Sequence, residues 1–204
     1  MRSGRVAEVA ATGKVLVFFG MIATGKSYLA AAWARQHGCG YYNSDRVRKE
    51  IAGLAPESRQ SGPADQGIYN HEFSRKTYDQ LLILAEQDLD EGPMACVVLD
   101  GSYQACCERE LVQEKLAAKA KVFFVHCICP EEVMRERMEQ RQNDPQAVSD
   151  GRWEIYLQQK TRFEMPSELG PEQLLTIDTN QALDVLLVLL EEWMVRVVDP
   201  QVVV

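Results

Sequence analysis

The stretch GMIATGKS, residues 20–27, stands between the apolar run VLVFF (15–19) and the helix-favouring run YLAAAWA (28–34). It fits GxxxxGK[ST], a spacing with physical meaning only in one context. A strand must deliver the chain, glycines must let backbone N–H groups turn inward, and a helix must begin with its positive end toward an anion. All three conditions are met here. The stretch therefore predicts a phosphate held at the carboxyl end of a buried strand by Gly20, Ala23, Thr24, Gly25, Lys26, Ser27 and Tyr28. Lys26 is placed to reach β- and γ-phosphates, and the Ser27 hydroxyl to help hold Mg²⁺. A nucleoside triphosphate and magnesium follow; the loop does not separate a kinase from a hydrolase.

Beyond the loop, short apolar runs alternate with longer helical patterns, as in a βαβ chain with a mostly parallel sheet. Strands are expected at about Lys14–Phe19, Gly40–Asn43, Met94–Leu99, Lys121–Cys127 and Leu174–Ile177. VLVFF, ACVVL and VFFV are continuous apolar runs, as central strands covered on both faces require. Helices are expected over Lys26–Gln36, Asp45–Leu54, roughly Gln66–Asp90, Glu131–Gln142, Arg152–Phe163 and Gln181–Val197, with a break in Ala55–Pro63. Right-handed crossovers place every strand's carboxyl end along one edge, where ligands of such sheets bind.

Composition limits the function classes. The 204 residues, 46% apolar and 25% charged, suit one globular domain spanning 1–204. A net charge of −8 disfavours a surface that coats nucleic acid. The absence of a long apolar stretch or a signal-peptide core points to a cytoplasmic protein away from membranes. Six cysteines without a CxxC pair read as reduced, buried thiols. Cys127 and Cys129 beside His126 do not make a metal site, because strand alternation turns His126 away from both.

Two carboxylates follow strands on the loop's edge. Asp100, after ACVVL, is expected to partner Mg²⁺ directly or through water, with a turn aspartate in Asp100-Gly101-Ser102 as the alternative. Asp45, after YYNS, can accept a proton from an acceptor hydroxyl, or it can simply cap the helix it opens. Arg48, one turn on, faces the same side and can grip an anionic part of the acceptor. In MRERMEQRQNDP, Arg137 and Arg141 share one helix face, and Arg135 lies elsewhere. Such a charged helix is either a solvated face or an arginine lid, over about 130–150, that closes on the triphosphate.

Together, GMIATGKSYLAAAWA, NSDRVRKEIAG, VVLDGSY, RERMEQRQ and SDGRWEIYLQQ resemble the AAA-domain P-loop kinase-like family. Its branches include polynucleotide 5′-kinase domains, gluconate kinases, chloramphenicol phosphotransferases and zeta toxins. The resemblance runs from about Gly13 to Asp178. It implies an α/β P-loop NTPase fold, a three-layer αβα sandwich with a five-stranded, mostly parallel sheet and a helical lid. By position it makes Asp45 the general base, Arg48 the acceptor clamp, and Arg137 and Arg141 the lid arginines. ATP with Mg²⁺ is the implied donor. The acceptor expected is the hydroxyl of a small molecule; the alternatives are a polynucleotide 5′-hydroxyl or a nucleotide-hydrolysing regulatory role. The apolar helix ALDVLLVLLEEWMV leaves room for a second copy of the chain as a partner.

Overall fold

The structure is a computed structural model that describes residues 13–56, 58, 66–92, 95–142 and 153–198. Five parallel strands form one sheet: β1 (Gly13–Phe19), β2 (Gly40–Asn43), β3 (Cys96–Asp100), β4 (Ala120–Ile128) and β5 (Leu174–Asp178), in the order β2-β3-β1-β4-β5. The loop-bearing β1 is central, with Phe18 in register with Asp100 on one side and Val125 on the other. Its side chains alternate between the two faces. Val15, Val17 and Phe19 pack with Leu81, Ala85 and Leu116, while Leu16 and Phe18 pack with Leu29, Trp33 and Leu190. That is why VLVFF has no polar position.

The helices are α1 (Lys26–His37), α2 (Ser44–Ile51), α3 (His71–Asp90), α4 (Cys106–Leu116), α5 (Glu131–Gln142), α6 (Trp153–Arg162) and α7 (Leu183–Val198). Helices α1 and α7 cover one face of the sheet; α3 and α4 cover the other. The expected helix from Gln66 is broken: Gly67–Tyr69 form a 3-10 turn, and the extended Asn70 caps α3 by accepting from Phe73 N–H at 2.8 Å. Helix α4 was not anticipated. CCERELVQEKL buries only Val112, Leu116 and the fully covered Arg109, too thin an apolar stripe to show against its charges.

The expectation of six reduced thiols fails at one pair. Cys39 precedes β2 and Cys96 opens β3, and the register Gly40↔Val97 sets them side by side, where they form a disulfide with Cα atoms 4.6 Å apart. A separation of 57 residues conceals a neighbourhood that only strand pairing creates. Cys106, Cys107, Cys127 and Cys129 are free. His126 packs against Phe19 (4.8 Å) and Phe163 (5.2 Å), which also face each other at 6.4 Å, and no metal-binding group of three or more His, Cys, Asp or Glu occurs among the described residues. Among them, too, no helix is long and apolar enough to cross a membrane.

Candidate active site

At the end of β1 the chain turns at Gly20 with φ +139°, where a Cβ would run into the Cys127 carbonyl. Ala23 also has positive φ, and Gly25, at φ +83°, begins α1 with no side chain capping the helix. The loop thus stays open at the helix's positive end, as anion binding requires. Thr24 is buried and donates from its hydroxyl to Met21 O at 2.8 Å, fixing the loop from within. The Lys26 ammonium curls back to the same carbonyl at 3.5 Å, and Ser27 follows half-buried.

The neighbouring strands deliver the two carboxylates. Asp100 ends β3 fully buried, and its Oδ2 accepts from Tyr41 Oη at 2.8 Å and Asn43 Nδ2 at 2.5 Å. Its Oδ1 has no partner, a costly state for a buried carboxylate oxygen unless a cation or its water fills the place. Burial and the adjacent Asp100 charge hold the Tyr41 hydroxyl protonated, so it remains a donor. Asp100 therefore does not spend its side chain on a turn, and its unpartnered carboxylate oxygen is of the type that suits a hard cation.

Asp45 lies in the first turn of α2, but Asn43 is the cap, its Oδ1 accepting from Arg46 N–H at 3.1 Å. That removes the capping alternative for Asp45. Burial pushes the Asp45 carboxyl up from its ordinary range; the Lys26 ammonium, then Arg48, pulls it down, while Asp100 adds to the rise. Arg48 is brought near Asp45 but is not presented as a free clamp. It is buried, its Nη1 donates to Ile68 O (2.8 Å) and Ser74 Oγ (3.0 Å), and its guanidinium lies 5.1 Å from the Tyr69 ring centre. Only its Nε is buried without a partner.

Helix α5 is not a solvated face. Met134, Met138 and, from α6, Tyr156 are buried against Ile22 and Ala23 of the loop, and Gln159 on α6 accepts from Ile22 N–H at 2.7 Å. Arg135 sits 3.9 Å from the Trp153 ring centre, away from the loop. Arg137 is drawn onto the loop's other flank, donating to Ala23 O (3.4 Å), Thr179 Oγ1 (3.3 Å) and Thr179 O (2.8 Å). The Arg141 side chain and residues 143–152 lie outside the described residues, as does most of the segment 57–65. An open pocket of about 430 Å³ lies beside Gly25, lined by the exposed Tyr28 with Arg137, Gln140, Thr179 and Gln181.

Several of these residues carried no readable signal. Thr179 follows β5 and donates to Thr24 O and, at 3.2 Å, Ile128 O, tying β4, β5 and the loop together. Arg109 crosses from α4 to Glu168 (2.5 Å) and to the carbonyls of Tyr103 (2.9 Å) and Gln104 (3.2 Å), holding the chain that leaves β3 beyond Asp100.

Comparison with known proteins agrees with the fold that carries this site. A family model described as AAA domain matches residues 15–166, and no curated protein matches. Among solved structures the chain is similar to an unliganded sugar kinase from a Janibacter species, at 19% identity over 90% of this chain and 94% of that one, with a TM-score of 0.64. It is also similar to a gluconokinase from Sinorhizobium meliloti, at 19% identity over 93% and 95%, with a TM-score of 0.59. A third is the APS kinase of Mycobacterium tuberculosis in complex with AMPPNP and APS, at 18% identity over 90% and 98%, with a TM-score of 0.62. At such identities the likeness is one of fold.

Proposed function

The chain belongs to the AAA-domain family, and on that footing we propose that it is a Mg²⁺-dependent phosphotransferase moving the γ-phosphate of ATP to a hydroxyl of a small molecule. The observation that carries this reading is the pair of carboxylates beside the loop. Asp100 keeps one buried oxygen unpartnered, and Asp45 is neither a cap nor, among the described residues, hydrogen-bonded. A hydrolase needs to hold a water; a carboxylate with raised proton affinity on the flank of a donor site suits deprotonation of an acceptor hydroxyl.

The pocket at Tyr28, Arg137 and Gln181 suits the base and ribose of the nucleotide, with the triphosphate running through the loop to Lys26. Ser27 and Asp100 would hold Mg²⁺, which supplies charge neutralisation at the phosphate oxygens. The acceptor oxygen gives its proton to the Asp45 carboxylate and bonds to the γ-phosphorus. The bond from that phosphorus to the β,γ-bridging oxygen breaks, and ADP leaves with the electron pair. Lys26 stabilises charge on the transferring group, and Arg141 is its expected partner from the lid. Arg48, committed to Ile68 O and Ser74, serves better to fix α2 against α3 than to grip a nucleic-acid phosphate. With a net charge of −8, this supports a small acceptor over a polynucleotide.

The test is an ATP-consumption screen over sugars, nucleosides, aminoglycosides and a 5′-hydroxyl oligonucleotide. The expected result is turnover stimulated by one small hydroxyl compound and abolished in Asp45→Asn, with ADP binding retained. Acceptor-independent hydrolysis that survives Asp45→Asn would overturn the proposal in favour of a nucleotide-hydrolysing module. Salt-sensitive labelling of the oligonucleotide alone would replace the acceptor class.

A further inference from the structure

We propose that Asn43 is a positioning residue that fixes both carboxylates at once, its Oδ1 capping the helix that carries Asp45 and its Nδ2 holding one oxygen of Asp100 so that the other is left for the metal shell. The inference rests on the reading of Asp100 as the metal's carboxylate. Asn43 ends β2 in register with Asp100, so the two side chains leave neighbouring parallel strands at the same level. One face of its amide meets Arg46 N–H at 3.1 Å, which can only donate; the other meets Asp100 Oδ2 at 2.5 Å, which as a carboxylate only accepts. The amide orientation is therefore fixed by its partners. Tyr41, two residues earlier on the same strand face, adds a second donor to Oδ2 at 2.8 Å.

With Oδ2 saturated from the β2 side, the carboxylate plane cannot turn without breaking two bonds, and the unpartnered Oδ1 keeps its place. The residue type is narrowly constrained. Serine caps a helix about as well but lacks the reach and the second donor; aspartate caps but would set a like charge against Oδ2. Asparagine does both, and so locks the spacing of two carboxylates, one at the end of β3 and one in the first turn of α2, that sense each other's charge.

Asn43→Ser separates capping from positioning. The measurement is calorimetric binding of ADP to the full chain with and without Mg²⁺, beside thermal unfolding and steady-state kinetics. In the wild type Mg²⁺ should tighten ADP binding. In Asn43→Ser the Mg²⁺-free affinity should hold and the unfolding midpoint fall only slightly, since Tyr41 still donates to Oδ2, while the Mg²⁺-dependent gain falls about tenfold, the scale seen when support behind a metal ligand is removed. A fall in kcat at unchanged KM for ATP should accompany it. Tyr41→Phe leaves the cap intact and should lose the same gain in smaller measure; it decides the matter should Asn43→Ser not fold. Full Mg²⁺-dependent gain in the variants would reduce Asn43 to a helix cap and overturn the inference while leaving the metal reading of Asp100 in place. A wild type without any Mg²⁺-dependent gain overturns that reading, and the inference with it.

Discussion

Asp45 carries a charge that the fold tolerates poorly, since burial raises its proton affinity more than Lys26 and Arg48 lower it. Asp45 therefore takes up a proton more readily in the folded than in the unfolded chain, so the penalty is absent below the ordinary carboxylate range near pH 4 and complete above the raised folded value. Asp45→Asn should accordingly raise the unfolding midpoint at neutral pH, with the gain vanishing in acid, while transfer falls by roughly 10²–10⁴-fold. Thermal scans at several pH values beside the acceptor assay check both halves. His126 has the opposite sign. Burial, then the Arg109 charge, pushes it down from 6.5 to about 4, so stability is full above pH 6.5 and is lost as pH falls through 4. The loss is on the order of 3 kcal/mol, and His126→Phe, keeping a ring against Phe19 and Phe163, should flatten the slope of urea-unfolding stability between pH 6.5 and 4. Asp45 and Asp100 were legible because each follows a recognisable strand. The commitment of Arg48 to Ile68 O and Ser74 was not, because it depends on where α3 lies in space.

At the scale of elements, α5 and α6 form a cover that rests directly on the loop. Met134 and Met138, four residues apart, supply the contact, and Arg137 between them is carried onto Ala23 O and Thr179. Met138→Ala should remove about 2–3 kcal/mol of local packing without unfolding the sheet. Amide exchange should quicken across 131–142 but stay slow in β1 and β4, and ADP should bind more weakly because Arg137 loses its seat. Unchanged exchange in 131–142 would mean that the cover is held by other contacts. The methionine pair was present in MRERMEQRQ, yet five charged neighbours obscure it, so periodicity alone suggested a solvated helix. Helix α4 escaped for a related reason: its inward position 109 is an arginine whose partners, Glu168 and two carbonyls, lie outside the helix's own sequence. Long, strongly periodic elements such as α1 and α7 match their expected bounds to within two residues.

For the molecule as a whole, the site occupies one end of the sheet and the Cys39–Cys96 bond the other, at the starts of β2 and β3. Reduction should therefore cost about 2–4 kcal/mol of stability through the freed unfolded chain and leave ADP affinity unchanged; denaturant titration and calorimetry with and without dithiothreitol check this. Crossover handedness predicted that the strand ends share an edge, which is why the loop and both carboxylates were found together. It did not predict the order of the strands, since β1 can sit beside several neighbours without violating handedness, and the disulfide followed from that order. The same order bears on how the chain emerges from the ribosome. Strand β1 is completed at Phe19, but its two neighbours end at Asp100 and Ile128. At roughly 5–20 residues per second, about 4–16 s pass before the first of them is complete. During that interval VLVFF, a charge-free β-forming run, has neither edge satisfied. The most buried strand of the finished protein is thus the most aggregation-prone segment of the nascent one, and its yield in cells depends on what shields that segment while β3 is still being made.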